Sequence, residues 1–258
     1  MRLTILCVLV IGFGVGVGAG EVAVSYLGHS CFTIQAEGGP ILMLDPYGSY
    51  VPYPALPKPA DIVLITHAHI DHCPYCFGEN DRVEGDPIKV FLLDAEGHCR
   101  EKLPPGAWVI TDEFKTHAIE GSHVTQSGGG EGWVCMFSFE IDGIRFAHLG
   151  DLGRFLNSTQ MEALSGVDVL FLPVGGAYTL DAAEAMTVIA QLPSVKVVFP
   201  MHYYVEGYCP WSAMAPVNDF TELAQMMYTV REIDGSSVSL DAETLPRSVE
   251  VWVLQFET

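Results

Sequence analysis

Residues 65–73 read ITHAHIDHC and close the apolar run DIVLI at 61–65. His67, His69, Asp71 and His72 all fall between positions 67 and 72. A short Val/Ile/Leu run that stops abruptly reads as a buried strand. Its end carries imidazole nitrogens and a carboxylate, donors that suit zinc and similar divalent ions. Residues two apart in extended chain face the same way, so His67 and His69 are placed to share one ion. Asp71 and His72 are adjacent and would strain a single tetrahedral shell. Past a turn, they reach a second ion.

Other apolar runs end in the same way. GIRFAHLG leads to Asp151, VKVVFP leads to Met201 and His202, and VDVLFLPVGG ends in Gly175, Gly176 and then Tyr178. Strands laid side by side would bring these ends to one sheet edge. His202, Asp151 and His123, the last in the loop EGSHVTQSGGG, then give each ion three or four protein ligands and an open position for water. Asp151 is the best bridging group, because a carboxylate has two oxygens and an imidazole one free lone pair. Between the runs lie amphipathic stretches. TLDAAEAMTVIAQL has Asp181 as N-cap and Glu184 as its capping-box partner. NSTQMEALSG and NDFTELAQMMYTV predict two more helices, with Phe220, Leu223 and Met227 on one face of the latter. Strands alternating with helices predict a layered α/β domain. The early stretches EVAVSYLGHSCFTIQ and GPILMLDP predict a hairpin-rich sheet. Four long irregular loops, at 47–59, 73–87, 120–132 and 203–218, adjoin the strand ends or carry a histidine.

The chain has 258 residues, with 32 acidic against 12 basic side chains and a net charge of −20. Phosphate affinity comes from Lys and Arg, so nucleic-acid partners are not expected, nor is an anionic membrane surface. A small-molecule substrate is the expected partner. Oligomeric state is not legible. Residues 1–20 place one positive charge before an apolar run and small residues, the pattern of a secretory signal peptide. That predicts an exported protein, periplasmic or secreted, with residues 21–258 as one domain and no stable membrane contact once the signal is removed. Export makes disulfides among Cys31, Cys73, Cys76, Cys99, Cys135 and Cys209 permissible.

THAHIDH matches the H-x-H-x-D-H signature of the metallo-β-lactamase superfamily. GHSCFTI, LDPY, HLGD, LPVGGAYTLDAAEA and PMHY occur in the order seen in its lactonase-like metal-dependent hydrolases, the group resembling ascorbate-6-phosphate lactonase. The resemblance runs over nearly the whole mature chain. It implies a four-layer αββα sandwich with two divalent ions at one edge of the paired sheets, zinc first and manganese or iron as alternatives. It also implies that His67, His69 and a loop histidine bind the first ion. His117 and His123 both lie in that region, and His123 has the better spacing to the Asp151 run. Asp71, His72 and His202 bind the second ion, and Asp151 is shared. A hydroxide on the metals would attack an ester, lactone or phosphodiester, with Asp71 or Asp151 as the catalytic carboxylate that relays a proton.

Smaller roles are expected for three further residues. His29 reaches the metal shell or substrate, or is a core histidine. Asp45 accepts from a ligand histidine, and Tyr178 lines the substrate cleft with the glycine pair. His148 reads as buried and hydrogen-bonded, His98 as exposed. Two departures stand out from the family pattern: Leu152, where many relatives carry Thr or Ser, and CPYC at 73–76. A Cys73–Cys76 disulfide is the favoured reading of the second, with pairing to Cys209 as the alternative. Two other functions fit the same motifs: an iron-dependent thiol or persulfide oxidoreductase, and a metal-binding protein without turnover.

Overall fold

The computed structural model describes residues 20–91, 115–125, 128 and 132–257. Most of the predicted leader, and His98 with Cys99, lie outside these. No helix among the described residues is long and apolar enough to cross a membrane.

The first half of the chain forms β1 (Val22–Gly28), β2 (Cys31–Ala36), β3 (Leu42–Leu44), β4 (Lys58–Pro59), β5 (Ile62–Ile65), β6 (Val83–Glu84) and β7 (Ile88–Phe91). The second half forms β8 (Lys115–Ser122), β9 (Trp133–Ile141), β10 (Ile144–His148), β11 (Val169–Pro173), β12 (Val197–Met201), β13 (Thr229–Glu232), β14 (Ser237–Leu240) and β15 (Glu250–Val253). Three helices accompany it: α1 (Ser158–Ala163), α2 (Ala182–Gln191) and α3 (Val217–Ala224). Two sheets result, in the orders β14-β1-β2-β3-β5-β7 and β13-β15-β12-β11-β10-β9-β8, with β4 and β6 as a small separate ribbon.

The two sheets differ in pattern because their faces differ in exposure. In β1, Val22, Val24 and Tyr26 are buried while Ala23 is exposed and Ser25 half-buried, the alternation of a strand with one wet face. In β11 and β12 every residue is buried. Both are parallel central strands joined through α2, and such strands read as unbroken apolar runs. Phe171 of β11 meets Phe32 of the first sheet at 4.5 Å between ring centroids and Phe199 of β12 at 5.5 Å. Full burial of each such ring contributes roughly 1.5–3 kcal/mol, and the rings set the spacing between the sheets.

Helix α2 starts as expected. Asp181 accepts from Glu184 N at 2.9 Å, and the Glu184 carboxylate accepts from Asp181 N at 3.0 Å. Its buried residues, Ala185, Val188 and Ile189, join the core, as do Phe220 and Ala224 of α3. Among the described residues the outer side of the first sheet carries no α-helix, only the single 3-10 turn Pro74–Phe77. Tyr47, Val51, Tyr53 and Leu56 from the proline-rich loop pack there against Leu27, Met43, Val63 and Ile65. The expected third helix is shorter than its periodicity suggested. It ends at Ala224, and Met227, expected on its apolar face, is 69% exposed as the chain turns into β13.

Candidate metal centre

The strand ends do meet. Past β5 the chain bends at 67–69 and turns at 70–72, where the His72 and Cys73 amides both donate to His69 O, at 3.0 and 2.7 Å. That turn sends Asp71 and His72 inward. The Cys135 amide donates to Thr66 O at 2.9 Å, tying the second sheet to this end of the first. The His202 amide donates to His29 O at 2.9 Å and ties the end of β12 to the β1–β2 turn. His29, Asp45 and His202 all have left-handed backbones, with φ of 55°, 41° and 53°. Such conformations are costly for residues other than glycine, and they cluster at functional sites.

Asp151 is the hub. Its Oδ2 lies 3.2 Å from His123 Nε2, 3.2 Å from His202 Nε2 and 3.7 Å from His67 Nε2. Its Oδ1 lies 3.1 Å from His72 Nε2 without hydrogen-bond geometry. Asp71 Oδ2 sits 3.5 Å from His72 Nε2, 3.7 Å from His202 Nε2 and 3.0 Å from His29 Nε2. Three overlapping groups have donor atoms within 4.8 Å of one another: His67, His69 and His123; His67, His72 and Asp151; and His29, Asp71, His72 and His202. All are buried except His69.

The arrangement fits divalent cations on its own chemistry. His72 Nε2, His202 Nε2 and Asp151 Oδ1 are buried without hydrogen-bond partners, which is costly unless something binds them. His67 Nε2 and His69 Nδ1 face each other at 3.1 Å, two nitrogens converging on one spot. Asp45 holds one of the rings from behind. Its Oδ1 accepts from Thr66 N at 2.7 Å, and its Oδ2 from Thr66 Oγ1 at 2.7 Å and His72 Nδ1 at 2.8 Å. With Nδ1 donating outward, His72 turns Nε2 toward the cluster.

Charge follows the geometry. Burial alone would raise the Asp151 and Asp71 carboxyls. The neighbouring imidazoles, His202 and His72 for Asp151 and His72 foremost for Asp71, hold both well below the usual carboxylate range. Burial opposes a proton on His202, but the Asp151 carboxylate outweighs it and pushes the imidazole up to about 9. His29, buried and facing His202, is pushed down to about 4.

Of the two loop histidines, His123 lies in the cluster. His117 is exposed on β8, beside a separate cavity of about 620 Å³ that also borders α1. His29 is fully buried and packs against Trp211, ring centroids 5.4 Å apart. His148 is buried; its Nε2 donates to Ser30 O at 3.1 Å and its Nδ1 accepts from Gly150 N at 3.2 Å. Tyr178 is 38% exposed on the wall of an open cleft of about 520 Å³ over the histidines. Leu152 is buried in the core. Cys73 and Cys76 form a disulfide across the short turn Pro74–Phe77, which leads directly from His72, and Cys135 is also disulfide-bonded. Cys209, the alternative partner, is a buried free thiol 3.7 Å from Met214 Sδ.

Neither glycine of the pair lines the cleft as expected, and Gly175 has a different task. A Cβ on Gly175 would stand 2.1 Å from His202 O and 3.0 Å from Tyr203 Cα. Only glycine lets the β11 end pass this close to the backbone that carries His202. Gly175→Ala is therefore expected to destabilise the protein by about 1–3 kcal/mol or more through overpacking. It should also weaken metal binding through His202; thermal unfolding and bound-metal analysis on the same preparation check both.

Two sheets whose strand ends converge on a histidine–aspartate cluster define a metal-dependent hydrolase fold class. Residues 23–202 match the family model described as a beta-lactamase superfamily domain, and the chain belongs to that superfamily. It is 33% identical over 201 residues to a UPF0173 metal-dependent hydrolase of Thermococcus onnurineus, covering 70% of this chain and 84% of the relative. A UPF0173 metal-dependent hydrolase of Methanoculleus marisnigri is 30% identical over 184 residues, 69% of this chain and 80% of the relative. Among solved structures, a Thermotoga maritima protein assigned as a candidate Zn-dependent hydrolase of the metallo-beta-lactamase superfamily is 28% identical. It superposes with a TM-score of 0.67 over 92% of this chain and all of its own. The chain is thus a metal-dependent hydrolase of the metallo-β-lactamase superfamily with a His/Asp cluster able to hold metal.

Proposed function

We propose that the cluster holds two divalent ions, most simply zinc, and that the protein hydrolyses an ester- or lactone-type bond. His67, His69 and His123 would hold one ion, Asp71, His72 and His202 the other, with Asp151 between them. The observation that carries this is the convergence of four imidazole Nε2 atoms on the two oxygens of Asp151, all between 3.1 and 3.7 Å. Such an ion pair supplies Lewis acidity and makes water acidic enough to attack at neutral pH.

The chain's own groups do the rest. Asp151 counters the charge gathered at the centre of the cluster. Asp71 is held by its Oδ2, which lies 3.0 Å from His29 Nε2 and is also the oxygen nearest His72 and His202. Its other oxygen is a candidate to pass a proton toward a leaving group. Export through the N-terminal leader, and a small-molecule rather than macromolecular partner, complete the proposal, in keeping with the charge of −20.

The test is a panel of lactones, carboxylic esters, phosphodiesters and β-lactams assayed with zinc and with chelator, beside metal analysis of the purified protein. Chelator-sensitive acyl hydrolysis with two metals per chain is expected. One iron per chain with thiol oxidation, or metal bound with no turnover on any substrate, would overturn the reading.

A further expected outcome concerns Asp45, which touches no cleft but orients His72. Asp45→Asn should weaken metal binding about 10- to 100-fold, the usual effect of losing a ligand's outer hydrogen-bond partner. Zinc titration against a chromophoric chelator measures it.

A further inference from the structure

The cleft over the cluster has walls of one chemical kind. Ile70, Phe77, Tyr178 and Trp211 line it together with His69, Asp71, His123, Asp151 and His202. Phe77 is 53% exposed, and Tyr50, 58% exposed, stands edge-on to Trp211 with ring centroids 5.8 Å apart. Large aromatic side chains left in water around one opening are unusual for a soluble surface and mark a site that something covers. The described residues that line the cleft include no Lys or Arg. Arg82, beyond the Cys73–Cys76 turn, donates from Nε to Tyr47 O, and Arg154, beyond Asp151, donates from Nε to Val124 O while bordering the separate cavity beside β8. Beyond the cluster itself, where the acyl group would sit, a phosphate or carboxylate elsewhere on the substrate would therefore find no Lys or Arg on the described walls, and a desolvated anion without a cationic partner is strongly disfavoured.

We infer that the substrate is an uncharged ester or lactone carrying an aromatic or extended alkyl group, which lies on Trp211, Phe77, Tyr178 and Ile70 while its acyl carbon faces the histidine–aspartate cluster. This rests on the hydrolase reading above and names its substrate class. The reaction balances as hydrolysis. The oxygen of water bonds to the acyl carbon, the acyl C–O bond breaks, one proton passes to the leaving oxygen and the other is released with the acid. Trp211 has a second contact that couples the two halves of the site. It packs on His29, whose Nε2 is 3.0 Å from Asp71 Oδ2, so an apolar group on the indole lies one ring from a candidate ligand.

The experiment uses the full zinc-loaded protein and a series of γ-lactones whose alkyl substituent lengthens from one carbon to eight. The expected result is a rise in kcat/KM of about twofold to fourfold per methylene, with a phosphorylated lactone of equal size at least about tenfold poorer than its neutral counterpart. Phe77→Ala and Trp211→Ala should each flatten the dependence on length. A flat series in the native protein, or preference for the phosphorylated lactone, overturns the inference while leaving the hydrolase reading intact.

Binding supplies a readout independent of turnover. By calorimetry, 2-naphthohydroxamic acid should bind the zinc-loaded protein at least about tenfold more tightly than acetohydroxamic acid, and the gap should narrow in both variants. Equal affinity for the two hydroxamates overturns the inference even if no lactone is hydrolysed. A large gap without hydrolysis of any lactone or carboxylic ester upholds the apolar subsite and overturns the ester-or-lactone reading.

Discussion

Asp151→Asn will cut turnover by about 10²- to 10³-fold and lower the bound metal relative to the native protein, while the protein still folds. The size follows from the role. Charge stabilisation at such a centre supplies several kcal/mol, and each 1.36 kcal/mol is about a factor of ten in rate. No other described side chain can replace it, because Asp151 alone is within 3.7 Å of His67, His72, His123 and His202 together. Asparagine keeps the shape and one carbonyl oxygen but turns an NH2 toward rings that need an acceptor or an ion. Removing a buried charge from among protonatable partners normally costs about 3–5 kcal/mol. Here the loss is softened, because His202 can shed the proton that Asp151 had stabilised. The substitution should therefore cost more thermal stability at pH 6 than at pH 9 in metal-free protein. Metal analysis, steady-state kinetics and thermal unfolding separate the effects. Native-like metal content with native-like turnover would remove Asp151 from the centre of the mechanism.

Much of this site was legible in the sequence, and the reason is physical. The buried strands β5, β11 and β12 have both faces covered, so they stand out as unbroken apolar runs, and a polar group at the end of such a run is conspicuous. The capping box of α2 is a contact between residues three apart, which a local pattern can show. What failed was non-local or overrode a local pattern. The periodicity of α3 runs on through Met226 and Met227, yet the chain leaves the helix at Ala224 to enter an edge strand. His29, expected to reach the metal shell or substrate or to be a core histidine, does meet Asp71 beside the cluster, but the two are 42 positions apart and only the family-like stretch GHSC pointed to it. Gly175 looked like a cleft residue because it follows a strand end, whereas its lack of a side chain serves the passage of the His202 backbone. The hairpin-rich beginning was legible through the alternation in β1. No pattern announced that the proline-rich loop, rather than an α-helix, would cover the outer side of that sheet among the described residues.

Metal loading should change both the height and the shape of the stability curve against pH. In metal-free protein His202 is raised from 6.5 to about 9. A group raised on folding contributes stability that is complete below its unfolded value and is lost as pH climbs through the folded one. For His202 that is about 3 kcal/mol, lost between about pH 6.5 and 9; His72 is raised too and acts in the same direction. His29, lowered to about 4, works with the opposite sign: its contribution is present above 6.5 and lost as pH falls toward 4. The Asp71 and Asp151 carboxyls, held low, withdraw theirs at still lower pH. Metal-free protein should therefore be most stable near pH 6.5 and weaken on both sides. An ion takes the ring nitrogens in place of protons, so binding releases protons and strengthens as pH rises. At 100 to 1,000 times its dissociation constant each ion adds about 2.7 to 4.1 kcal/mol, at about 2–4 °C per kcal/mol for a chain of this size. With zinc, unfolding temperatures should stay level from pH 6.5 to 9, exceed those in chelator by about 10 °C or more at pH 9, and draw together with them toward pH 5. Coincident curves with zinc and with chelator would mean that the buried imidazoles hold protons and no ion, and the metal centre would have to be abandoned.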